Sequence, residues 1–204
     1  MANAKCYGCY PALSATERLY HARCSRKLFG TPVPPMLPFT EKDIVGLAEQ
    51  SVLRSATVAG AQTKLSLGLM RGESTTSPDR FTILGVWGSH ILKPPTPNYP
   101  HMAELEDLTM HLAELVGIRT VPHGLLPMED GALAYITRRV DRIGKPGGRK
   151  VTKLHMEDLC QLTERLTEHK YRGSHEQIAK VILRFATNTL SDQTSFYEQV
   201  LFLF

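Results

Sequence analysis

A loop of small residues centred on a glycine begins at Thr57 and runs directly into the apolar stretch 65–69. The small side chains let the backbone approach a ligand closely, and the pattern predicts a turn that feeds a strand. Backbone N–H groups in such a turn can face an anion, so the loop is a candidate phosphate-binding segment. Its residues are Thr57, Val58, Ala59, Gly60, Ala61, Gln62 and Thr63.

A second predicted strand ends on Lys93, about thirty residues after the loop. A lysine at that place would supply a positive charge to the phosphate oxygens of a nucleotide. The acidic, amphipathic helix that begins near Met102 offers Glu106 and Glu104 to hold this lysine, and Asp107 less favourably. Taken alone, these residues also fit a surface lysine before a proline turn and a solvated helix face. The prediction of a nucleotide site therefore depends on the order of loop, strand, lysine and acidic helix along the chain.

Three cysteines and a histidine near the N-terminus have the spacing of metal ligands. Cys6 and Cys9 form one pair, and His21 and Cys24 form a second pair with the same spacing. Zinc takes four such ligands in a tetrahedron, and a segment of about thirty residues without its own core needs such a metal to fold. We predict a closed, structural zinc site; the alternative is a set of reduced cysteines beside a surface histidine.

The remaining cysteine and histidines give weaker signals. Cys160 lies alone in a predicted amphipathic helix and is interpreted as a buried thiol. Glu157 and Asp158 suit the positive end of a helix, which explains them better than metal binding together with His155 does. Six other histidines show no ligand spacing and are interpreted as ordinary residues: His90, His101, His111, His123, His169 and His175.

The composition is that of a globular protein. Of its 204 residues, 42% are hydrophobic and 22% are charged, enough for one core with a small appendage. The net charge of +4 suits phosphate-bearing ligands but is too small to argue for nucleic acid by itself. No apolar run approaches the roughly 20 residues of a membrane span, and the N-terminus lacks a signal-peptide core. We therefore predict a cytoplasmic protein with no membrane partner, whose cysteines are thiols or metal ligands.

The periodicity predicts an α+β protein in which a sheet comes first and helices follow. Four prolines between Pro32 and Pro38 mark a boundary after the cysteine-containing head, which we define as residues 1–30. The next predicted domain covers 31–137 and the last covers 138–204. Strands are predicted at 65–69, 81–86, 89–93, 120–126 and 132–137, and helices at 40–53, 102–116, 155–167, 174–188 and 195–204.

With these parts in order, the chain resembles the HipA-like serine/threonine kinases of bacterial toxin–antitoxin systems. The resemblance rests on an ordered set of segments within residues 55–204: the loop, the strand 91–94, the stretch 106–122, and the segments 135–142 and 154–161. It implies a protein-kinase-like amino lobe, made of an antiparallel sheet and a helix, followed by the first helices of the carboxyl lobe. The zinc-knuckle-like head is similar to the short form of this family, in which a separate small protein can supply the missing first subdomain.

The resemblance implies roles for individual residues. Residues 57–63 would face the phosphates of ATP, Lys93 would hold the α- and β-phosphates, and Glu106 would orient Lys93. The family phosphorylates itself on a serine of this loop, which corresponds by position to Thr57, with Ser55 as a neighbour. Residues 137–140 would form the hinge, whose backbone meets the adenine, with Thr137, Arg138 and Arg139 as the binding residues.

The resemblance also implies a reaction, the Mg²⁺-dependent transfer of the γ-phosphate of ATP to a hydroxyl group of a protein. The family's catalytic loop and magnesium-binding aspartate follow a helix like that at 196–201, and this sequence ends at Phe204. We therefore expect no catalytic residues in the chain and no phosphoryl transfer by it alone, and we interpret it as the amino-terminal part of a longer kinase. The expected partners are an antitoxin, a protein substrate, and DNA only through the antitoxin.

Two other functions stay open. The first is a non-catalytic zinc-containing module that binds an antitoxin or DNA, which the head and the positive charge favour and the lack of a basic recognition helix opposes. The second is a different ATP-dependent transferase with a kinase-like amino lobe. The sequence contains none of the motifs of α/β-hydrolases, zinc proteases or P-loop nucleotidases.

Overall fold

The computed structural model describes residues 4–44, 46, 64–72, 79–83, 87–96, 99–144, 151–169 and 172–204. The predicted phosphate loop, residues 57–63, lies outside the described residues. Within the helix predicted at 40–53, residues 40–44 and 46 are described, and of these 41–44 and 46 are helical.

Antiparallel strands form a five-stranded sheet in the order β2-β1-β3-β5-β4. Each strand lies where the sequence predicts one, with differences of a few residues at the ends. The bounds are β1, Leu65–Met70; β2, Arg80–Ile83; β3, His90–Lys93; β4, His123–Pro127; and β5, Leu133–Arg138. A separate two-stranded ribbon pairs β6, Arg142–Ile143, with β7, Thr152–Lys153. The predicted α+β class is confirmed.

The helices are α1, Ala22–Phe29; α2, Met102–Leu115; α3, Leu159–Leu162; α4, His175–Phe185; and α5, Thr189–Phe202. The prediction of a helix over 155–167 is wrong in its extent. Asp158 caps α3 by accepting the N–H of Gln161 at 2.8 Å, so the helix begins after it, and the positive φ of 55° at Glu164 stops its continuation. Helix α5 begins six residues before the predicted start at Ser195.

A glycine ends α2 as the sequence predicts. Gly117 has a φ of 84°, in the left-handed region that favours glycine, and its N–H donates to Glu114 O at 3.1 Å. The N–H of Ile118 donates to Ala113 O at 3.0 Å. Together these bonds satisfy two of the carbonyl groups that the helix end would otherwise leave unpaired.

Alternation along the strands sends side chains to the two faces of the sheet. On one face, Leu65, Leu67 and Leu92 are fully buried, and Leu92 lies opposite Ile136 of β5. On the other face, Leu125 and Tyr135 pack against Ala103 of α2. Helix α2 therefore covers one face of the sheet, and the first face needs a different cover.

The head covers that first face. Tyr20, Leu28 and Phe29 are buried in the same apolar cluster as Leu65 and Phe81. The rings of Phe29 and Phe81 lie 5.9 Å apart, and the Tyr20 hydroxyl donates to Leu125 O at 2.6 Å. The head is thus part of the core of the sheet.

The packing divides the chain into two compact units. The first unit comprises residues 1–112 and 120–154, and the second comprises 113–119 and 155–204. In the second unit the ring of His175 in α4 lies 6.3 Å from that of Phe196 in α5. The first unit includes the head, so the packing runs across the predicted boundary at residue 30; the domain bounds 1–30, 31–137 and 138–204 stay predictions.

A neutral histidine is built into the core of the first unit. His90 is fully buried, with Nε2 3.0 Å from Leu28 O and Nδ1 2.9 Å from the Ser89 hydroxyl. Burial lowers the pKa of His90 to about 4. His90 therefore links α1 to β3, a structural role that agrees with its interpretation as an ordinary residue.

Lowering the pH from 7.5 to 5 is expected to destabilise the first unit by about 2 kcal/mol through His90. The unfolded chain takes up this proton near pH 6.5, while the folded chain does not accept it until about pH 4. Between these values the unfolded state binds more protons, so the free energy of unfolding falls as the pH falls. Urea unfolding at the two pH values, followed by the fluorescence of Trp87, measures the loss.

The control for this prediction is His90→Gln, which offers an amide donor and acceptor but takes up no proton near neutral pH. In this variant the free energy of unfolding should no longer show the loss of about 2 kcal/mol that His90 causes between pH 7.5 and pH 5. A pH dependence equal to that of the wild type would contradict the assignment to His90.

Candidate functional site

Lys93 is the last residue of β3, and the sheet holds its stem in place. It lies opposite Tyr135 of β5, so both side chains project from the face that α2 covers. The Lys93 Nζ lies 5.3 Å from the centroid of the Tyr135 ring, a cation–π distance. The Lys93 side chain keeps 21% of its surface exposed, so its ammonium remains within reach of a ligand.

Glu106 is the residue of α2 that contacts this lysine. Its carboxylate Oε1 accepts a hydrogen bond from Lys93 Nζ, and its side chain is 26% exposed. Ala103 lies one turn earlier and packs on Leu125 and Tyr135, where its small side chain lets α2 come close to the sheet. The structure therefore brings together the lysine and the carboxylate that the sequence paired.

The other two acidic candidates have different partners. Glu104 Oε1 lies 3.1 Å from the exposed imidazole of His101, away from Lys93. Asp107 is fully buried and contacts Tyr10 and His123. Of the three carboxylates that the sequence offered, Glu106 is the partner of Lys93.

The predicted hinge residues follow the end of β5. Thr137 pairs with both Ile91 and His123 in the sheet. The N–H groups of Arg138 and Arg139 donate to Pro122 O and Ser89 O, each at 2.9 Å. These donors are already used within the protein, so adenine contacts by the two arginines would have to use other groups.

Arg139 itself is held by an acidic neighbour. Its guanidinium donates to both carboxylate oxygens of Asp141, at 2.9 and 2.8 Å. Arg139 holds the pKa of Asp141 below its usual range, with help from Arg142. This buried pair fixes the turn that leads out of the sheet towards β6.

The four predicted metal ligands lie together in the head. One ligand atom from each of Cys6, Cys9, His21 and Cys24 lies within 4.8 Å of all the others. The Cys9 sulfur is 3.3 Å from His21 Nδ1. Tetrahedral zinc with bonds of about 2.3 Å places its sulfur ligands roughly 3.8 Å apart, so the separations suit that ion.

Protons in the cluster are also placed as a metal would require. His21 Nε2 lies 3.1 Å from Ala12 O, which puts the imidazole proton on that nitrogen and leaves the Nδ1 lone pair facing the sulfurs. Burial would raise the pKa of Cys6, but the N–H groups of His21 and Gly8, which donate to its sulfur, lower it.

The other two thiols resist ionisation. Burial, together with the thiols of Cys24 and Cys6, raises the pKa of Cys9 to about 12, and burial also raises the pKa of Cys24. A cation among the three sulfurs would remove this penalty by sharing their negative charge. The donor set and its electrostatics therefore fit a Cys₃His metal site.

Sequence reasoning missed a second polar cluster. Asp107, His111 and His123 bring a ligand atom each within 4.8 Å of one another, with the Tyr10 hydroxyl bonded to Asp107. The sequence interpreted His111 and His123 as ordinary residues without ligand spacing, and the structure places both of them beside Asp107. The spacing of four residues between Asp107 and His111 was a visible signal, but His123 joins them only because β4 packs beside α2.

The interpretation of Cys160, in the second unit, as a buried thiol is wrong. Cys160 is half-buried, and its thiol donates to Arg165 O at 3.3 Å. His155 is almost fully exposed and contacts only the carboxylate of Glu157, at 2.9 Å, among the described residues. Asp158 serves as the cap of α3, so the explanation by a helix start holds for that residue.

The geometry first defines a class: an α+β protein in which a five-stranded antiparallel sheet, with one helix on a face, precedes a set of helices. The family model described as the HipA-like C-terminal domain matches residues 56–204. The chain belongs to this family, as the resemblance in the sequence predicted.

Two curated relatives carry the name of a kinase. One, named "Putative kinase", from Haemophilus influenzae, is 24% identical over 181 residues, which is 83% of this chain and 49% of that protein. "Putative kinase Y4mE" from Sinorhizobium fredii is 33% identical over 153 residues, 71% of this chain and 34% of that protein. The chain thus spans half or less of the length of these relatives.

A solved structure shares the fold. It is a chain in the complex of HipA, HipB and operator DNA from the toxin–antitoxin system of Shewanella oneidensis MR-1, with a TM-score of 0.52 and 18% identity. The match covers 81% of this chain and 42% of that one. Within the described ranges, no helix is both long and apolar enough to cross a membrane.

Proposed function

We propose that the chain is the nucleotide-binding part of a HipA-like serine/threonine protein kinase, which transfers the γ-phosphate of ATP to a hydroxyl group of a protein. The observation that carries the proposal is the pair of Lys93 and Glu106. The family membership and the names of the two relatives support the class of reaction.

Lys93 suits a phosphate ligand because its ammonium is oriented before any ligand arrives. Glu106 and the ring of Tyr135 hold it on two sides, and the remaining exposed surface can meet the α- and β-phosphates. When bound, ATP supplies the phosphoryl group and Mg²⁺ neutralises its charge. We assign residues 57–63 to the loop over the phosphates and the segment Thr137 to Arg139 to the adenine side.

We further propose that Cys6, Cys9, His21 and Cys24 hold one structural zinc ion. All four positions of a tetrahedron would be occupied by protein ligands, so the ion would have no open site for a substrate. Because the head forms part of the sheet core, the ion would stabilise the lobe that carries Lys93. This packing argues against a head that acts as an independent binding module.

The proposed partners follow from the structural neighbour. That HipA is in a complex with HipB and operator DNA. We propose that the protein to which this chain belongs also works with an antitoxin, contacts DNA only through it, and acts on a protein substrate. A separate small protein that supplies the first subdomain is a further proposed partner.

Lys93→Ala is expected to weaken nucleotide binding by about 10- to 100-fold. A hydrogen bond to a charged group contributes roughly 1.5–3 kcal/mol, and the variant removes the charge that faces the phosphates. The measurement is a titration of the chain with a fluorescent N-methylanthraniloyl ATP, with and without Mg²⁺, in wild type and variant.

Lys180→Ala is the matched control, since Lys180 also pairs with a glutamate, Glu176 at 2.7 Å, but lies on exposed α4. It should bind the nucleotide as the wild type does. If the Lys93 variant bound the nucleotide as tightly as the wild type and melted at the same temperature, Lys93 would be an ordinary surface lysine. The proposal would then lose its main support.

A further inference from the structure

A buried carboxylate lies next to Glu106 on α2. Asp107 is fully buried, and its two oxygens accept hydrogen bonds from two different elements. The Tyr10 hydroxyl donates to Oδ2 at 2.7 Å, and His123 Nδ1 lies 2.9 Å from Oδ1.

Tyr10 reaches this carboxylate from the cysteine turn of the head. Its N–H donates to Cys6 O at 2.9 Å, and its φ of 67° is left-handed, which few residues other than glycine adopt. Its ring stacks on the imidazole of His111 with centroids 4.4 Å apart and planes at 23°. The ring and the hydroxyl are therefore both fixed, and Tyr10 connects the head to α2.

Apolar packing does little to set the rotation of α2 about its axis. On the side that faces the sheet it offers the small Ala103 and the flexible Met110, while Leu105 and Leu108 are 59% and 44% exposed. At about 6 Å from a helix axis, a rotation of 20° moves a carboxylate by about 2 Å, enough to break its hydrogen bond. The position of Glu106 thus depends on what holds Asp107.

We infer that the Tyr10–Asp107 bond is a latch through which the head sets the rotation of α2 and so holds Glu106 against Lys93. Tyr10 and Asp107 are positioning residues of the site, and His123 completes the support from β4. The inference rests on the proposed function in that Lys93 is taken as the phosphate lysine.

The three ligand atoms of Asp107, His111 and His123 are close enough for a cation, but their protons oppose one. His111 Nδ1 lies 2.9 Å from the backbone oxygen of Asp107, and His123 Nδ1 faces the carboxylate. A carbonyl oxygen and a carboxylate only accept hydrogen bonds, so the Nδ1 atom of each histidine carries a proton and has no lone pair for a metal. The cluster is a hydrogen-bonded network.

The test is the reactivity of Lys93 towards sulfo-N-hydroxysuccinimide acetate, measured lysine by lysine with mass spectrometry on the full chain without nucleotide. An ammonium that donates to Glu106 must leave that contact before its amine can attack the reagent. Tyr10→Phe keeps the stacked ring but removes the hydroxyl, so acetylation of Lys93 should become at least about threefold faster, while Lys180 is unchanged.

Tyr7→Phe is the matched control. Tyr7 lies in the same turn, and its hydroxyl makes no hydrogen bond to any described residue, so Lys93 should react at the wild-type rate. The decisive variant combines Tyr10→Phe with Glu106→Gln. Glu106→Gln already frees the lysine, so the second change should add nothing to the rate, whereas general loosening of the fold would add to it.

A wild-type rate for Lys93 in Tyr10→Phe, or an additive effect in the double variant, would overturn the latch. The latch would also be overturned if the Cys24→Ser variant still bound a metal ion and the Cys24→Ser/His123→Gln double variant did not, because the Asp107 cluster would then be a metal site. Because the assay contains no nucleotide, its outcome is separate from that of the ATP titration, and either proposal can fail alone.

Discussion

Replacing Cys24 with serine is expected to abolish zinc binding and to lower the melting temperature of the whole first unit by about 10–15 °C. A structural zinc ion contributes several kcal/mol to folding, and each kcal/mol shifts the midpoint of a chain of this size by about 2–4 °C. The effect should reach beyond the head, because Tyr20, Leu28 and Phe29 share the core of the sheet. Elemental analysis measures the metal, and calorimetry with Trp87 fluorescence measures the unfolding.

Cys160→Ser is the control, since it makes the same chemical change in the second unit and outside the cluster. It should keep one zinc ion per chain and the wild-type melting temperature. A Cys24→Ser chain that retains its metal would refute the ligand assignment. One that loses the metal while Trp87 reports unchanged unfolding would show that the head and the sheet are energetically independent.

Gly124→Ala is expected to destabilise the first unit by about 2–4 kcal/mol, through crowding and the loss of a buried hydrogen bond. A Cβ atom at this position of β4 would lie 2.4 Å from the Tyr20 hydroxyl oxygen and 3.1 Å from Tyr7 O. Tyr20 is only 2% exposed and has no room to withdraw, so its bond to Leu125 O must break. Urea unfolding followed by Trp87 measures the cost.

Tyr20→Phe supplies the internal control, because it removes the oxygen that the new methyl group would meet. Made alone it should cost about 1 kcal/mol for the lost bond. In that background Gly124→Ala should cost clearly less than in the wild type, a coupling that only direct contact between the two side chains would produce. Strictly additive costs would show that the head lies elsewhere on the sheet.

The sequence was sufficient for the parts whose signals are local. Alternation placed the strands, Gly117 placed the end of α2, and the order of strand and helix paired Lys93 with an acidic helix. The Cys-x-x-Cys and His-x-x-Cys spacings placed the four candidate metal ligands on one short segment, and the structure finds their ligand atoms close together.

The parts that were missed depend on contacts between distant segments. An amphipathic reading of α2 would bury its leucines, but Leu105 and Leu108 are exposed and the charged Asp107 is buried. Asp107 can be buried because its carboxylate is hydrogen-bonded to Tyr10 and His123. Both residues come from distant parts of the chain, so no local sequence pattern predicts these bonds. The sequence predicted the head as a separate segment for the same reason. Its packing on the sheet joins residues that are far apart in the chain, so no local pattern indicates it.

The contact between Tyr20 and Leu125 joins residues 105 positions apart, and that between Tyr10 and Asp107 joins residues 97 apart. On a ribosome that adds roughly 5–20 residues per second, Tyr20 is made about 5–20 seconds before Leu125 of β4, the residue its hydroxyl binds. During that interval β4 does not yet cover the head, and an ion held by its cysteines and histidine would already stabilise the segment. The ion would therefore be acquired before the sheet closes over the head, and a shortage of metal at that moment would leave β1, β3 and β5 with one apolar face uncovered.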